Sequence, residues 1–136
     1  MRLAAKPIAL LAAISAVLIT SSAAPAHRVH RPPPVLATSL SVDEQEWSVI
    51  PSQTVVAAGV VTFHVYDRGQ DPHDLTVRGP GGMRGRVRGM VKLVPGGSAT
   101  IVAHLRPGAY VLYCSMFMGT PQSHYALGMH ASLKVS

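Results

Sequence analysis

From Val35 onward the chain is cut every few residues by Gly and Pro clusters, and the runs between them are rich in Val, Thr, Ile and Tyr. The breaks are Ala58-Gly59, Arg68-Gly69, Gly79-Pro80-Gly81-Gly82, Pro95-Gly96-Gly97 and Pro107-Gly108. Glycine reaches positive φ and proline presets a bend, so each cluster is a turn with a mechanism. No apolar stripe of helical period fits between them. A period of two does. Val61, Phe63 and Val65 alternate with Thr62, His64 and Tyr66, and Ile101, Ala103 and Leu105 alternate with Thr100, Val102 and His104. The pattern predicts strands over residues 36–42, 46–50, 54–56, 60–66, 74–78, 87–94, 99–105, 109–114 and 131–135. Short strands at this spacing make an all-β fold, a Greek-key β-sandwich or barrel. Tyr110 follows the Pro107-Gly108 turn, where its hydroxyl can fold back onto the turn's backbone as a tyrosine corner.

The segment ahead of this region has a different character. Arg2 and Lys6 precede an apolar run over residues 8–19, broken only by Ser15, and Ala24-Pro25-Ala26 supplies the small residues of a cleavage site. Residues 1–26 therefore read as a signal peptide. The run is about 12 residues, short of the roughly 20 that span a bilayer, so membrane association is expected only through an uncleaved N-terminal segment. Residues 27–34 contain three consecutive prolines and read as an extended linker, leaving residues 35–136 as the folded domain. Export places the protein in the periplasm, outside the cell or at its surface.

Twelve Lys and Arg against six Asp and Glu give a net charge of +6, and loss of Arg2 and Lys6 with the leader lowers it to +4. Arg84, Arg86 and Arg88 share a parity, so on a strand they would form one basic face for an acidic partner or anionic surface. Nucleic acid is a poor match, because no aromatic residues interleave with the charges to stack bases.

A single cysteine is unusual in an exported chain, where cysteines are spent in pairs. Cys114 ends a predicted strand, with His124 and Met129 downstream and His73 upstream between two strands. A thiolate, two imidazoles and a thioether are the ligand types of an electron-transfer copper site: two His and one Cys in a plane, with a weak axial Met. An N-terminal His27, with His30, would be a separate chelating group for Cu(II) if cleavage falls after Ala26.

Three pieces of sequence carry a family resemblance that runs from about Glu46 to Val135. They are Gly59-Val-Val-Thr-Phe-His-Val-Tyr66 leading to Asp71-Pro-His73-Asp-Leu75; Pro95-Gly-Gly97 with Leu105-Arg-Pro-Gly-Ala-Tyr110 before Cys114; and His124-Tyr-Ala-Leu-Gly-Met129. Together they resemble the cupredoxins, the blue copper proteins, and the His-x4-Met spacing resembles the plastocyanin-like branch. The resemblance implies one mononuclear copper ion held by His73, Cys114, His124 and Met129. One departure stands out. Nine residues separate Cys114 from His124, where mononuclear sites of the family have two to four, and the loop offers Met116 and Met118 as rival axial ligands. Met118 also occupies the spacing at which binuclear centres, as in cytochrome oxidase subunit II, carry a second cysteine; a thioether is a poor bridge, so the expectation is mononuclear.

The function expected is a one-electron carrier cycling Cu(I) and Cu(II), docking a redox partner, with the arginines favouring an acidic one, over an apolar rim drawn from Leu75, Met116, Phe117 or Tyr125. The rivals are a periplasmic copper delivery or storage protein, which would hand its metal to a copper acceptor, and a metal-free β-sandwich accessory protein. No carboxylate pair or nucleophile–base pattern supports an enzyme. His64 and His104 are expected to be structural, and His130 to lie at the rim of the site.

Overall fold

A computed structural model describes residues 38–136. The signal peptide and linker expected over residues 1–34, the chelating His27 and His30, and the first residues of the first predicted strand lie outside the described residues.

Nine strands follow in order: β1 (Ser39–Gln45), β2 (Ser48–Pro51), β3 (Val55–Val56), β4 (Gly59–Asp67), β5 (His73–Arg78), β6 (Val87–Leu93), β7 (Ser98–Leu105), β8 (Gly108–Tyr113) and β9 (His130–Val135). One four-residue helix, α1 (His124–Leu127), interrupts the last connection. The strands form a four-stranded sheet in the order β2-β1-β4-β7 and a five-stranded sheet in the order β3-β9-β8-β5-β6. The chain passes from sheet to sheet after β2, β3, β4, β6 and β7, so neighbours in sequence are split between layers. This is the expected all-β sandwich.

The period-two reading accounts for the core. Val61, Phe63 and Val65 have no exposed surface, and Ile101, Ala103 and Leu105 are buried opposite them across the antiparallel β4–β7 ladder. Leu75, Val77, Leu112 and Leu133 close the core from the other sheet. Each buried Leu, Val or Phe contributes about 1.5–3 kcal/mol relative to exposure. His64 and His104 are exposed on the outer face of the four-stranded sheet, away from the core.

Three expectations need correction. The second strand begins at Ser48, because Glu46 and Trp47 form the turn that closes the β1–β2 hairpin. The three arginines do not share a strand face: Arg84 sits in a 3-10 turn at Gly82–Arg84, Arg86 precedes β6, and only Arg88 lies in the strand. Leu75 is fully buried and cannot be part of a rim; β5 is an interior strand, paired on both sides by β6 and β8.

The tyrosine corner is present. The Tyr110 hydroxyl donates to the Arg106 carbonyl at 3.0 Å and accepts the Arg106 N–H at 3.1 Å. It fixes the β7–β8 turn and hence the angle at which β8 runs to Cys114. Tyr110→Phe removes both bonds and should cost about 1–2 kcal/mol. Urea unfolding of the variant should show a lower midpoint at unchanged slope.

Candidate metal centre

Cys114 is the residue immediately after β8, His73 is the first residue of β5, and His124 opens α1. All three are buried. Strands β5 and β8 are neighbours in one sheet, so His73 and Cys114 meet at the same end of it. The loop of residues 115–123 then has to return His124 to that end, and backbone bonds show how it does so. The Cys114 N–H donates to the Met129 carbonyl (3.1 Å), the Met129 N–H to the His124 carbonyl (2.9 Å), and the His124 N–H to the Met116 carbonyl (3.2 Å). Two turns take up the extra length, with the Met118 N–H on the Ser115 carbonyl and the Thr120 N–H on the Phe117 carbonyl. Ser123 caps α1 by accepting the Ala126 N–H. Gly128 ends α1 at φ 121°, where a Cβ would stand 2.9 Å from the Trp47 carbonyl oxygen, so the chain turns there into Met129. The long loop is therefore pinned at both ends and folded in between.

The donor atoms converge. His73 Nδ1 lies 3.3 Å from His124 Nδ1, and Cys114 Sγ lies 3.4 Å from the same nitrogen. One donor atom from each of the three residues lies within 4.8 Å of the others. Bonds of about 2.0 Å to imidazole nitrogen and 2.3 Å to thiolate sulfur, roughly 100–120° apart, give donor-to-donor edges of about 3.1–3.7 Å. The 3.3 Å and 3.4 Å edges fall in that range, so the residues fit one metal ion. His64, His104 and His130 are not in the group. His130 is exposed and stacks on Tyr125 at 4.7 Å.

Met129 has no exposed surface and belongs to the core beside Cys114. Met116 is partly buried against the same core, while Met118 is 45% exposed. Burial thus separates Met118 from the other two thioethers.

Burial favours the neutral form of both Cys114 and His124. Burial pushes the Cys114 thiol up to about 11, although the N–H groups of Asp74 and Met116 pull the other way. Burial also lowers His124, helped by His73 beside it, which keeps the imidazole neutral and its lone pair free. Metal binding would then release the Cys114 proton and favour high pH.

Several residues around the centre escaped the sequence reading. The Asp74 N–H points at Cys114 Sγ (3.4 Å). The Asp74 carboxylate accepts the Ser115 N–H (2.9 Å) and the Ser115 hydroxyl (2.9 Å), tying β5 to the start of the loop. Trp47 sets its ring against His124, 5.0 Å between centroids at 75°. Adjacency to His73 was the available signal for Asp74; Trp47 had none beyond being the chain's single tryptophan.

His124 is the ligand candidate nearest the surface. It borders a cavity of about 520 Å³ walled by Trp47, Phe117, Pro121 and Leu127, with Asp71 as its charged member. Phe117 and Leu127 are 56% and 45% exposed, so the rim is apolar, as expected; Phe117 is an expected member, while Trp47, Pro121 and Leu127 take the places of Leu75, Met116 and Tyr125.

Two solved structures share this architecture. Dithionite-reduced auracyanin from Roseiflexus castenholzii matches with a TM-score of 0.58 at 21% identity, over 74% of this chain and 98% of that one. Auracyanin A from Chloroflexus aurantiacus, a "blue" copper protein, matches with a TM-score of 0.50 at 15% identity, over 72% of this chain and 98% of that one. No protein-family model and no curated protein matches the sequence. The chain thus has the cupredoxin fold, and its own His73–Cys114–His124 group fits a mononuclear type 1 copper site.

Proposed function

We propose that this chain is an exported one-electron carrier that holds a single copper ion on His73, Cys114 and His124, with Met129 as the axial thioether. The observation that carries the reading is the convergence of one thiol and two imidazoles, from three separate elements, in a buried site. Two imidazoles and a thiolate with a nearby thioether form the donor set of blue copper sites, and both auracyanins named above have this fold. Copper bound there supplies one-electron exchange between Cu(I) and Cu(II). The residues do the rest. Strands β5 and β8 hold His73 and Cys114, and the backbone bonds of the 115–129 segment hold His124 and Met129, so little rearranges with the charge state. That pinning favours a carrier over a delivery protein, whose donors would have to swing outward to release metal. The described residues contain no helix long and apolar enough to cross a membrane.

The redox partner would dock over the apolar rim at His124, the shortest way to the metal. The arginines sit elsewhere. β5 begins at His73 and ends at Arg78, five residue steps or about 17 Å along the strand, and Arg84 and Arg86 lie beyond that far end. An acidic surface held by Arg84 and Arg86 would not cover His124. The basic patch is therefore proposed to orient approach through the molecule's charge asymmetry rather than to touch the electron-transfer face.

Voltammetry of the protein loaded with one equivalent of copper tests this reading. A reversible one-electron wave, with copper retained against an apo acceptor, is expected. Met129→Ala should shift the potential and the spectrum while Met118→Ala leaves both unchanged. Complete transfer of Cu(I) to the acceptor without a reversible wave would instead establish delivery.

A further inference from the structure

His73 has a second ring nitrogen, and its surroundings are specific. Nε2 is buried and lacks a hydrogen bond of good geometry. The acceptors facing it are Glu46 Oε1 at 3.5 Å and Asp67 Oδ1 at 3.9 Å. The chain between Asp67 and His73 is folded around this contact. Glu46 Oε1 accepts the N–H groups of Gln70 (2.6 Å) and Asp71 (2.8 Å), and Asp67 Oδ1 accepts that of Gly69 (2.9 Å). Gly69 is packed so closely that a Cβ would stand 2.5 Å from Glu46 Oε1 and 2.7 Å from His73 Nε2. Only glycine lets the loop approach the pair this closely. The next residue in the β1–β2 turn, Trp47, lies against the other imidazole, His124.

We propose that Glu46 is a positioning residue for the metal centre, an anionic acceptor that keeps the His73 proton on Nε2 and turns the Nδ1 lone pair toward Cys114 and His124. The effect on copper rests on the reading above; the effect on the tautomer does not. A metal-ligating histidine commonly donates its remote N–H to a carboxylate or carbonyl, which fixes the ring and makes it a stronger donor. Here the acceptor comes from a hairpin turn distant in sequence, and it brings a full negative charge. Its Oε1 accepts the N–H groups of Gln70 and Asp71, which favour the charged carboxylate. A negative charge beside the ligand favours Cu(II) over Cu(I).

Glu46→Gln tests this, because it keeps an oxygen for the Gln70 and Asp71 N–H groups and removes the charge. In the metal-free protein, 15N spectra of labelled histidine should show His73 as the Nε2–H tautomer in wild type and a mixture of tautomers in the variant. In the loaded protein, the preference for Cu(II) over Cu(I) should fall three- to tenfold, raising the potential by about 30–60 mV. Glu46→Asp, which keeps the charge but withdraws it by one methylene, should show both changes in smaller size. An Nε2–H tautomer and a potential that both survive Glu46→Gln overturn the proposal. If the wild type takes up no copper, the copper reading fails by itself, and the tautomer result still decides the role of Glu46.

Discussion

Cys114→Ser should abolish the intense visible absorption of the Cu(II)-loaded protein and weaken copper binding by more than about 100-fold, beyond the 10–100-fold typical of losing an outer partner of a ligand. Cys114 is the chain's single cysteine and its single soft anionic donor. A serine hydroxyl fills nearly the same volume but does not ionise near neutral pH, and it does not supply the sulfur-to-copper transition that colours such sites. With the thiol pushed up to about 11, the metal-free protein carries the proton at neutral pH and must release it on binding. Wild-type affinity should therefore rise about tenfold for each unit of pH below that value, as far as Cys114 alone governs it. The serine variant should lose this dependence. Calorimetric titration in buffers of different protonation enthalpy measures both the affinity and the proton released. A variant that keeps its colour would remove Cys114 from the site. The metal-free variant should unfold within about 1–2 kcal/mol of wild type, since one buried partner of the Asp74 N–H is replaced by another.

The second large effect concerns a group far from obvious in function. Glu44 has no exposed surface, and neither of its carboxylate oxygens has a hydrogen-bond partner. Burial, and then the charges of Asp74 and Asp67, push it up from 4.5 to about 8. The folded protein thus holds a proton on Glu44 that the unfolded chain gives up above about pH 4.5. In that window the folded state binds more protons, so its stability falls as pH rises, and the loss is complete only above about pH 8. At pH 7 the cost is about 3 kcal/mol. Glu44→Gln carries no ionisable proton, so its stability should not fall across this window. Urea unfolding of the metal-free proteins should give similar stabilities near pH 4 and a variant more stable by about 4 kcal/mol at pH 8. Parallel curves across that range would show that Glu44 ionises freely in the fold.

Glu44 also shows where sequence reading stopped short. Leu40, Val42 and Glu44 share one parity on β1 and all three are buried, so the observed alternation carries a glutamate inward. The strand predicted over residues 36–42 ends before Glu44, and no local pattern marks that carboxylate as buried, because burial of an unpaired one is rare. The strands themselves were legible because each buried face repeats every second residue and each turn carries its own Gly or Pro. The ligand candidates were legible because Cys, His and Met on a β frame combine in few ways. What no local pattern encodes is the second layer. Glu46 meets His73 across a long stretch of chain, and Trp47 meets His124 across a longer one. The arginines failed for the converse reason: parity assumes a continuous strand, and Gly81, Gly82 and Gly85 turn the chain there instead.

The central claim is that one copper ion sits in a preformed site of two imidazoles and a thiolate. Visible and EPR spectra of the protein loaded with one equivalent of Cu(II) test it most directly. Uptake of one ion per chain, strong blue or green colour and a narrow parallel hyperfine splitting are expected. Weak colour with a wide splitting, or no stoichiometric uptake, would contradict it.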